Sequence, residues 1–290
     1  MIVLALQNLG LVHQTNGNQN NQIGVAFTLI GIPGNAQVAI VEMEMRRKGE
    51  ILKLASMCKP SVGVILNVEP VHLVNFGCLE EIASAKGEIL REMKPGDVCV
   101  MNADDPLVMS LPVTLGVKKV LFGRRMECDV HLVVAESTYG GYGVRVVLER
   151  NTEMVEFVIQ SPGLHLALNA CAAAAVSAVL GVSLRQFVKS LARFTPVSMR
   201  SELDIAKNGV RIINDVYNAN PKSTKAAISL LESIECRGKR VAILGDMLEL
   251  GTSEVEAHET VLSLCWEEVY FSSRETEAKW NEKGYLLAGV

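Results

Sequence analysis

Apolar residues along the chain recur in runs of strand length, "VAIVEM" at 38–43, "VGVILNV" at 62–68, "DVCVMN" at 97–102 and "KKVLFG" at 118–123. The spacers between them carry a different rhythm. Ile51, Leu54 and Ala55 in "GEILKLASMC", and Ile82, Ala85 and Ile89 in "LEEIASAKGEILREM", fall on one face at helical spacing. Apolar strands alternating with amphipathic helices predict an α/β fold, a mostly parallel sheet covered by crossover helices.

From 129 to 160 the rhythm shortens to alternating strands, "DVHLVVAEST", "GVRVVLER" and "MVEFVIQ", with "YGGYG" and "NTE" between them, which predicts a small antiparallel addition. The alanine-rich "LALNACAAAAVSAVLGV" reads as a buried helix, and Ser183 caps the helix "SLRQFVKSLARF". Past "TPVSMRSEL" the pattern restarts as strand "VRIINDVY", helix "PKSTKAAISLLESI" and strand "RVAILGDM", with Asn220 as cap and Pro221 at the first helical position. The boundary near Pro196 to Ser201 divides the chain into domains 1–197 and 198–290. Ahead of all this stands "HQTNGNQNNQIGV" at 13–25, too amide-rich for a strand or a core.

Composition changes the picture in three ways. At 290 residues, 49% hydrophobic and 21% charged, the chain has enough apolar material for two cores, which excludes disorder. A net charge of −4 with scattered basic residues gives no footprint for nucleic acid or an anionic membrane. The seven cysteines stand singly with no C-x-x-C, so neither a disulfide framework nor a zinc knuckle is expected and a reducing compartment fits. "MIVLALQNLGLVH" has no basic flank or cleavage site and reads as a helix tail; the lack of a visible address fits a cytoplasmic protein or a chain whose true beginning is missing.

Ligands of an open parallel sheet bind beyond the carboxyl ends of its strands. Glu42 and Glu44 stand at one such end, Asn67, Glu69 and His72 at the next, and Asn102, Asp104 and Asp105 at a third. Carboxylates with an imidazole there suit magnesium or manganese better than zinc. Spacing alone leaves the plainer possibility open, that these are solvated charges at strand ends.

The order of short motifs goes further. "TNGNQNNQIGVAFTLI", "VEMEMRRKGEI", "VGVILNVEPVHLVNFGCLEEIASAKGEIL", "MNADDP", "PGLHLALNACAAAAV", "MRSEL", "NDVYNANPKS" and "LGDMLELG" resemble, in sequence and in order, the Mur ligases. The likeness runs from Gln14 to His258 and is greatest to the branch that joins D-alanyl-D-alanine to a UDP-linked muramoyl tripeptide. It implies ATP and Mg2+ as cofactors, a UDP-linked muramoyl peptide and D-alanyl-D-alanine as partners, and amide formation through an acyl phosphate. Residue by residue, it implies Glu42 and His72 as metal ligands and Lys86 as a lysine that becomes carbamylated, a third oxygen ligand and a catalytic group. Asn102, Asn169 and Asp215 match the nucleotide side, with Tyr217 and Asn218 beside Asp215. Arg200 matches the arginine that meets the ATP phosphates, and Thr15, Asn18, Asn20 and Asn21 the substrate-facing loop. Asp246 and Glu249 fall in the domain that receives the amino substrate, with no step assigned.

The chain also departs from the family. It contains no G-x-x-x-x-G-K-[ST], the loop whose backbone amides and lysine cradle phosphates, which the family carries just upstream of the amide-rich motif. The expectation is a chain that starts inside the ATPase domain, lacks the uridine-binding domain and stops short at the other end, leaving the second domain an incomplete Rossmann-like unit; a source that makes peptidoglycan would place it in the bacterial cytoplasm, or in the plastid stroma of a plant. Glu44 replaces the glycine of "E-x-G", and Leu166 the asparagine after "GLH". No ligase turnover is expected from these residues alone. Two other readings stay open: a degenerate homologue acting as a binding module, and a ligase of the folylpolyglutamate or cyanophycin synthetase type.

Overall fold

The computed structural model describes residues 1–70, 74–207, 209–235, 238–264 and 269–272. They form two compact units, one from Met1–Ala135, Arg145–Phe157 and His165–Phe194, the other from Glu136–Val144, Val158–Leu164 and the described residues from Thr195 onward. No helix among the described residues is long and apolar enough to cross a membrane.

The first unit begins with α1 (Ile2–Leu6), β1 (Leu11–Gln14), α2 (Gln22–Ile30) and β2 (Ala36–Ile40). It continues through α3 (Glu50–Cys58), β3 (Val62–Ile65), α4 (Leu79–Lys86), β4 (Val98–Asn102), α5 (Pro106–Met109) and β5 (Lys118–Gly123). Strands β6 (Val130–Ser137), β7 (Val144–Arg150) and β8 (Glu153–Ile159) follow, then α6 (His165–Val179) and α7 (Leu184–Leu191). The parallel strands divide between two sheets: β1 pairs with β2, while β3 to β8 form a six-stranded sheet in chain order. Its first four strands are parallel. Only Asn151 and Thr152 separate β7 from β8, with Asn151 left-handed at φ 54°, and so short a connection requires an antiparallel pair.

The helices cover these strands with the residues their spacing selects. Ile51, Leu54 and Ala55 of α3 and Ile82 and Ala85 of α4 share one core with Ile65, Cys99 and Met101 of β3 and β4. One helix ends earlier than its apolar period suggests: α4 tightens at Gly87 into a 3₁₀ turn. A Cβ on Gly87 would stand 2.8 Å from the Leu111 side chain, so a glycine permits that approach and Lys86 becomes the last residue of α4. The alanines of α6 are nearly all buried and let α1 and β5 come close. Ser183 and Gln186 cap α7 reciprocally, as the sequence indicates.

In the second unit β9 (Glu202–Ile205) pairs antiparallel with β10 (Arg211–Asn214), followed by α8 (Pro221–Ser233), β11 (Ala242–Gly245), α9 (Glu254–Leu262) and β12 (Val269–Ser272). β11 pairs parallel with β12, so β10 belongs to a separate hairpin with "ELDI". Asn220 caps α8 with Ser223 as reciprocal partner and Pro221 at the first position. Ile228, Met247, Leu250 and Val261 form this unit's core. Cys58, Cys78, Cys99, Cys128 and Cys171 are free thiols.

Candidate functional site

The amide-rich loop is folded on itself by its own groups. The Asn18 carbonyl accepts from Asn20 N at 2.8 Å, and Asn21 caps α2 by accepting from Ile23 N and Gly24 N at 3.1 and 3.0 Å. A Cβ on Gly24 would lie 2.4 Å from the Gln19 carbonyl, which explains the glycine in "NNQIG". Two of the loop's polar side chains reach the end of β2. Glu42 N donates to Thr15 Oγ1 at 2.9 Å, and buried Asn20 donates through Nδ2 to Glu42 Oε1 at 3.0 Å. Thr15 and Asn20 therefore fix the Glu42 carboxylate, while Asn18 remains exposed. Asn21 and Glu44 line one groove of about 420 Å³ with Ile23, Met45, Arg46 and Glu50.

A second cluster gathers at the ends of β3 and β4. Lys86 Nζ donates to the Asn67 carbonyl at 2.7 Å. Burial pushes the Lys86 ammonium below the ordinary lysine range, and the carboxylates of Glu69 and Asp105 pull it partly back up. Asn67 Nδ2 in turn donates to Glu69 Oε1 at 2.9 Å. Asn102 is buried, and its Oδ1 accepts from Asp104 N at 2.9 Å, which turns the chain at the end of β4. Asn169 stands exposed on α6. His72 lies outside the described residues.

In the second unit Arg200 and Asp215 meet at one turn. Arg200 is flanked by Met199 and Ser201, both left-handed at φ 61° and 50°, a conformation that strains non-glycine residues. Clamps hold it there. Glu202 Oε2 accepts from Met199 N at 2.9 Å and Ser198 Oγ at 2.8 Å, which keeps the Glu202 carboxyl below the usual carboxylate range. Asp215 Oδ1 accepts from Ser201 N at 2.7 Å, and Met199 O from Tyr217 N at 3.2 Å. The exposed guanidinium of Arg200 lies over the Tyr217 ring, 4.2 Å from its centroid. Asp215 thus braces the turn that presents Arg200.

Sequence reasoning missed Glu88. It is 1% exposed, and its carboxylate accepts from Gly49 N at 2.7 Å and Leu52 N at 3.1 Å, closing the amino end of α3. The available signal was an acid three residues beyond Ala85, on the apolar face of its helix. Tyr217 is the platform for Arg200, whereas the sequence marks it only as a neighbour of Asp215.

Magnesium can be tested against these donors. Among the described residues no three histidine, cysteine, aspartate or glutamate side chains converge as a metal site. Glu42 is an oxygen donor of the right kind; Lys86 as an ammonium is not, and would become one only as a carbamate. A sparse oxygen set fits magnesium, which keeps waters and takes one or two carboxylates beside phosphate oxygens.

Comparison with known proteins gives the family. Residues 1–177 match the Mur ligase middle domain, and residues 199–283 the Mur ligase glutamate ligase domain. The chain belongs to the Mur ligase family. It is 37% identical over 247 residues to the UDP-N-acetylmuramoyl-tripeptide–D-alanyl-D-alanine ligase of Bacillus subtilis, covering 85% of this chain and 52% of that protein. A crystal structure of MurF from Acinetobacter baumannii superposes with a TM-score of 0.85 at 29% identity, over 93% of this chain and 59% of the other. MurF from Thermotoga maritima, solved in complex with ADP, gives 0.83 at 29% identity, over 96% of this chain and 64% of the other. The Mur ligase chain described here spans about half the length of the curated relative from Bacillus.

Proposed function

We propose that this chain carries the middle and carboxy-terminal ligase domains, residues 1–197 and 198–290, of an ATP-dependent ligase of peptidoglycan precursor synthesis. The reaction joins D-alanyl-D-alanine to UDP-N-acetylmuramoyl-tripeptide in the cytoplasm. ATP phosphorylates the tripeptide carboxylate, giving an acyl phosphate and ADP. The dipeptide amine attacks that carbonyl, and the tetrahedral intermediate expels phosphate to leave the amide. Such chemistry rests on positioning and charge neutralisation more than on a protein nucleophile.

The observation that carries this reading is Lys86, in "ASAKGEI", whose half-buried amine is held 2.7 Å from a backbone carbonyl at the strand ends. A lysine pushed toward its neutral form can add carbon dioxide, forming an N–C bond, losing a proton and becoming a carboxylate. Magnesium, when bound, would take Glu42, His72 and the Lys86 carbamate and supply positive charge beside the phosphates. Asn20 and Thr15 orient Glu42; Asn18 and Asn21 complete the substrate-facing loop. Asn102 and Asn169 serve the nucleotide side, and Arg200, braced by Asp215, meets the phosphates as a planar donor.

With no phosphate-loop sequence in the chain, these 290 residues alone are expected to bind ATP feebly and turn nothing over. A chimera tests the reading: the segments of the Bacillus subtilis ligase that lie outside its matched region, before and after it, joined to the corresponding ends of this chain. ADP release that needs both UDP-N-acetylmuramoyl-tripeptide and D-alanyl-D-alanine is the expected result. A folded chimera that releases no ADP contradicts it and favours a non-catalytic binding module. Glu44 is the residue that favours that second reading, since its extra carboxylate two positions from Glu42 repels phosphates.

A further inference from the structure

Asp105 makes three hydrogen bonds that look in two directions. Its Oδ1 accepts from Leu107 N at 2.9 Å and Val108 N at 3.1 Å, capping α5. Its Oδ2 accepts from Val68 N at 2.7 Å, across from the end of β4 to the end of β3. Val68 follows directly on Asn67, whose carbonyl receives the Lys86 amine at 2.7 Å and whose side chain holds Glu69 at 2.9 Å. One carboxylate, anchored on a helix end, thereby fixes the backbone that fixes the lysine. A short bond from an amide to a carboxylate is among the stronger kind, and Val68 is buried, so water does not replace it cheaply.

We propose that Asp105 is the positioning residue for the Lys86 amine, acting by clamping the 67–69 turn that receives it. The inference rests on the reading of Lys86 as the functional amine. It adds that the end of β4 controls where that amine points. Capping alone needs only one oxygen on residue 105. The second oxygen serves the clamp, and that distinction makes the two roles separable.

Asp105→Asn keeps one acceptor oxygen for the cap, where asparagine is as good as aspartate, and turns an NH2 toward the Val68 N–H, two donors face to face. Asp105→Ser also caps and has no second oxygen. In the wild type, NMR should show the Val68 amide protected from exchange and separate resonances for the two Lys86 Hε protons. In both variants the Leu107 and Val108 amides should stay protected, while Val68 exchange rises about tenfold or more and the Hε pair collapses to one averaged signal. Separate Hε signals and unchanged Val68 protection in both variants would overturn the proposal. So would a wild-type Val68 amide that exchanges like an exposed loop, a result that decides the matter even if both variants unfold. These readouts need neither nucleotide nor turnover, so failure of the chimera assay leaves them independent.

Discussion

Lys86 enters its site from the end of α4, with Ile82 one turn behind it fully buried and the Asn67 carbonyl 2.7 Å ahead. Arg200 stands exposed on a turn whose two flanking residues are left-handed, held by Glu202 and Asp215 and laid over Tyr217. Both are cations matched to the same family chemistry, yet the costs differ in kind. The lysine loses solvation, visible in its lowered pKa, and a packed core keeps it in place. The arginine keeps its water, and the cost is backbone strain of about 1–3 kcal/mol per residue. On the proposed reading, a cation whose protonation must change is served by burial, and one that must stay charged and meet phosphate by an exposed, strained platform.

Substitutions can break or sharpen that contrast. Ile82→Ala should remove about 2–5 kcal/mol of stability, read from urea unfolding, because the side chain is 0% exposed beneath Lys86. Val216→Ala, at a position 58% exposed beside Tyr217, should stay within about 0.5 kcal/mol. Comparable costs at the two positions would end the distinction. Glu88→Gln should cost about 1–3 kcal/mol, since an amide can accept one of the two backbone N–H groups and must oppose the other.

The turn around Arg200 should respond in the opposite direction. Ser201→Gly relieves a φ of 50° and gives up only a 3.4 Å hydroxyl contact to Asp215, so a gain of about 1 kcal/mol is expected. A loss of stability there would mean that Ser201 is unstrained. The smallest effect concerns pH. The folded Lys86 pKa lies below 10.5, so between the two values the unfolded chain binds more protons and stability rises with pH. Below the folded pKa the penalty is constant and full. Lys86→Met lacks it, so its advantage over the wild type should shrink as pH approaches 10.5; an advantage independent of alkaline pH would show that burial does not act on this amine.

Much of the scaffold was legible because it is written locally. The apolar spacing of α3 and α4, the Ser183 and Asn220 caps and the turn before β8 each depend on a few adjacent residues. What was not legible depends on distant partners. The end of α4 at Gly87 is set by Leu111; the pairing of β10 with β9 is a different case, because the Asn-Gly of "AKNGV" between them is a local hairpin signal that the strand pattern alone passes over. Glu42 was readable as a strand-end carboxylate, but Asn20 and Thr15 as its supports, 22 and 27 residues earlier, became visible only in the fold. Asp105 carried the same ambiguity: its cap on α5 is local, its hold on Val68 spans 37 residues.

The central claim, that the chain holds Lys86 ready to become a carboxylate, is tested most directly by 13C NMR under 13C-labelled bicarbonate. Wild type, Lys86→Met and Arg200→Met are compared at one pH. The half-buried α-amine of Met1, also lowered in pKa by its loss of solvent, gives a signal common to all three. The account predicts a further carbamate resonance in the wild type and in Arg200→Met that Lys86→Met removes. A wild-type spectrum without it, or a resonance that survives in Lys86→Met, would contradict the account.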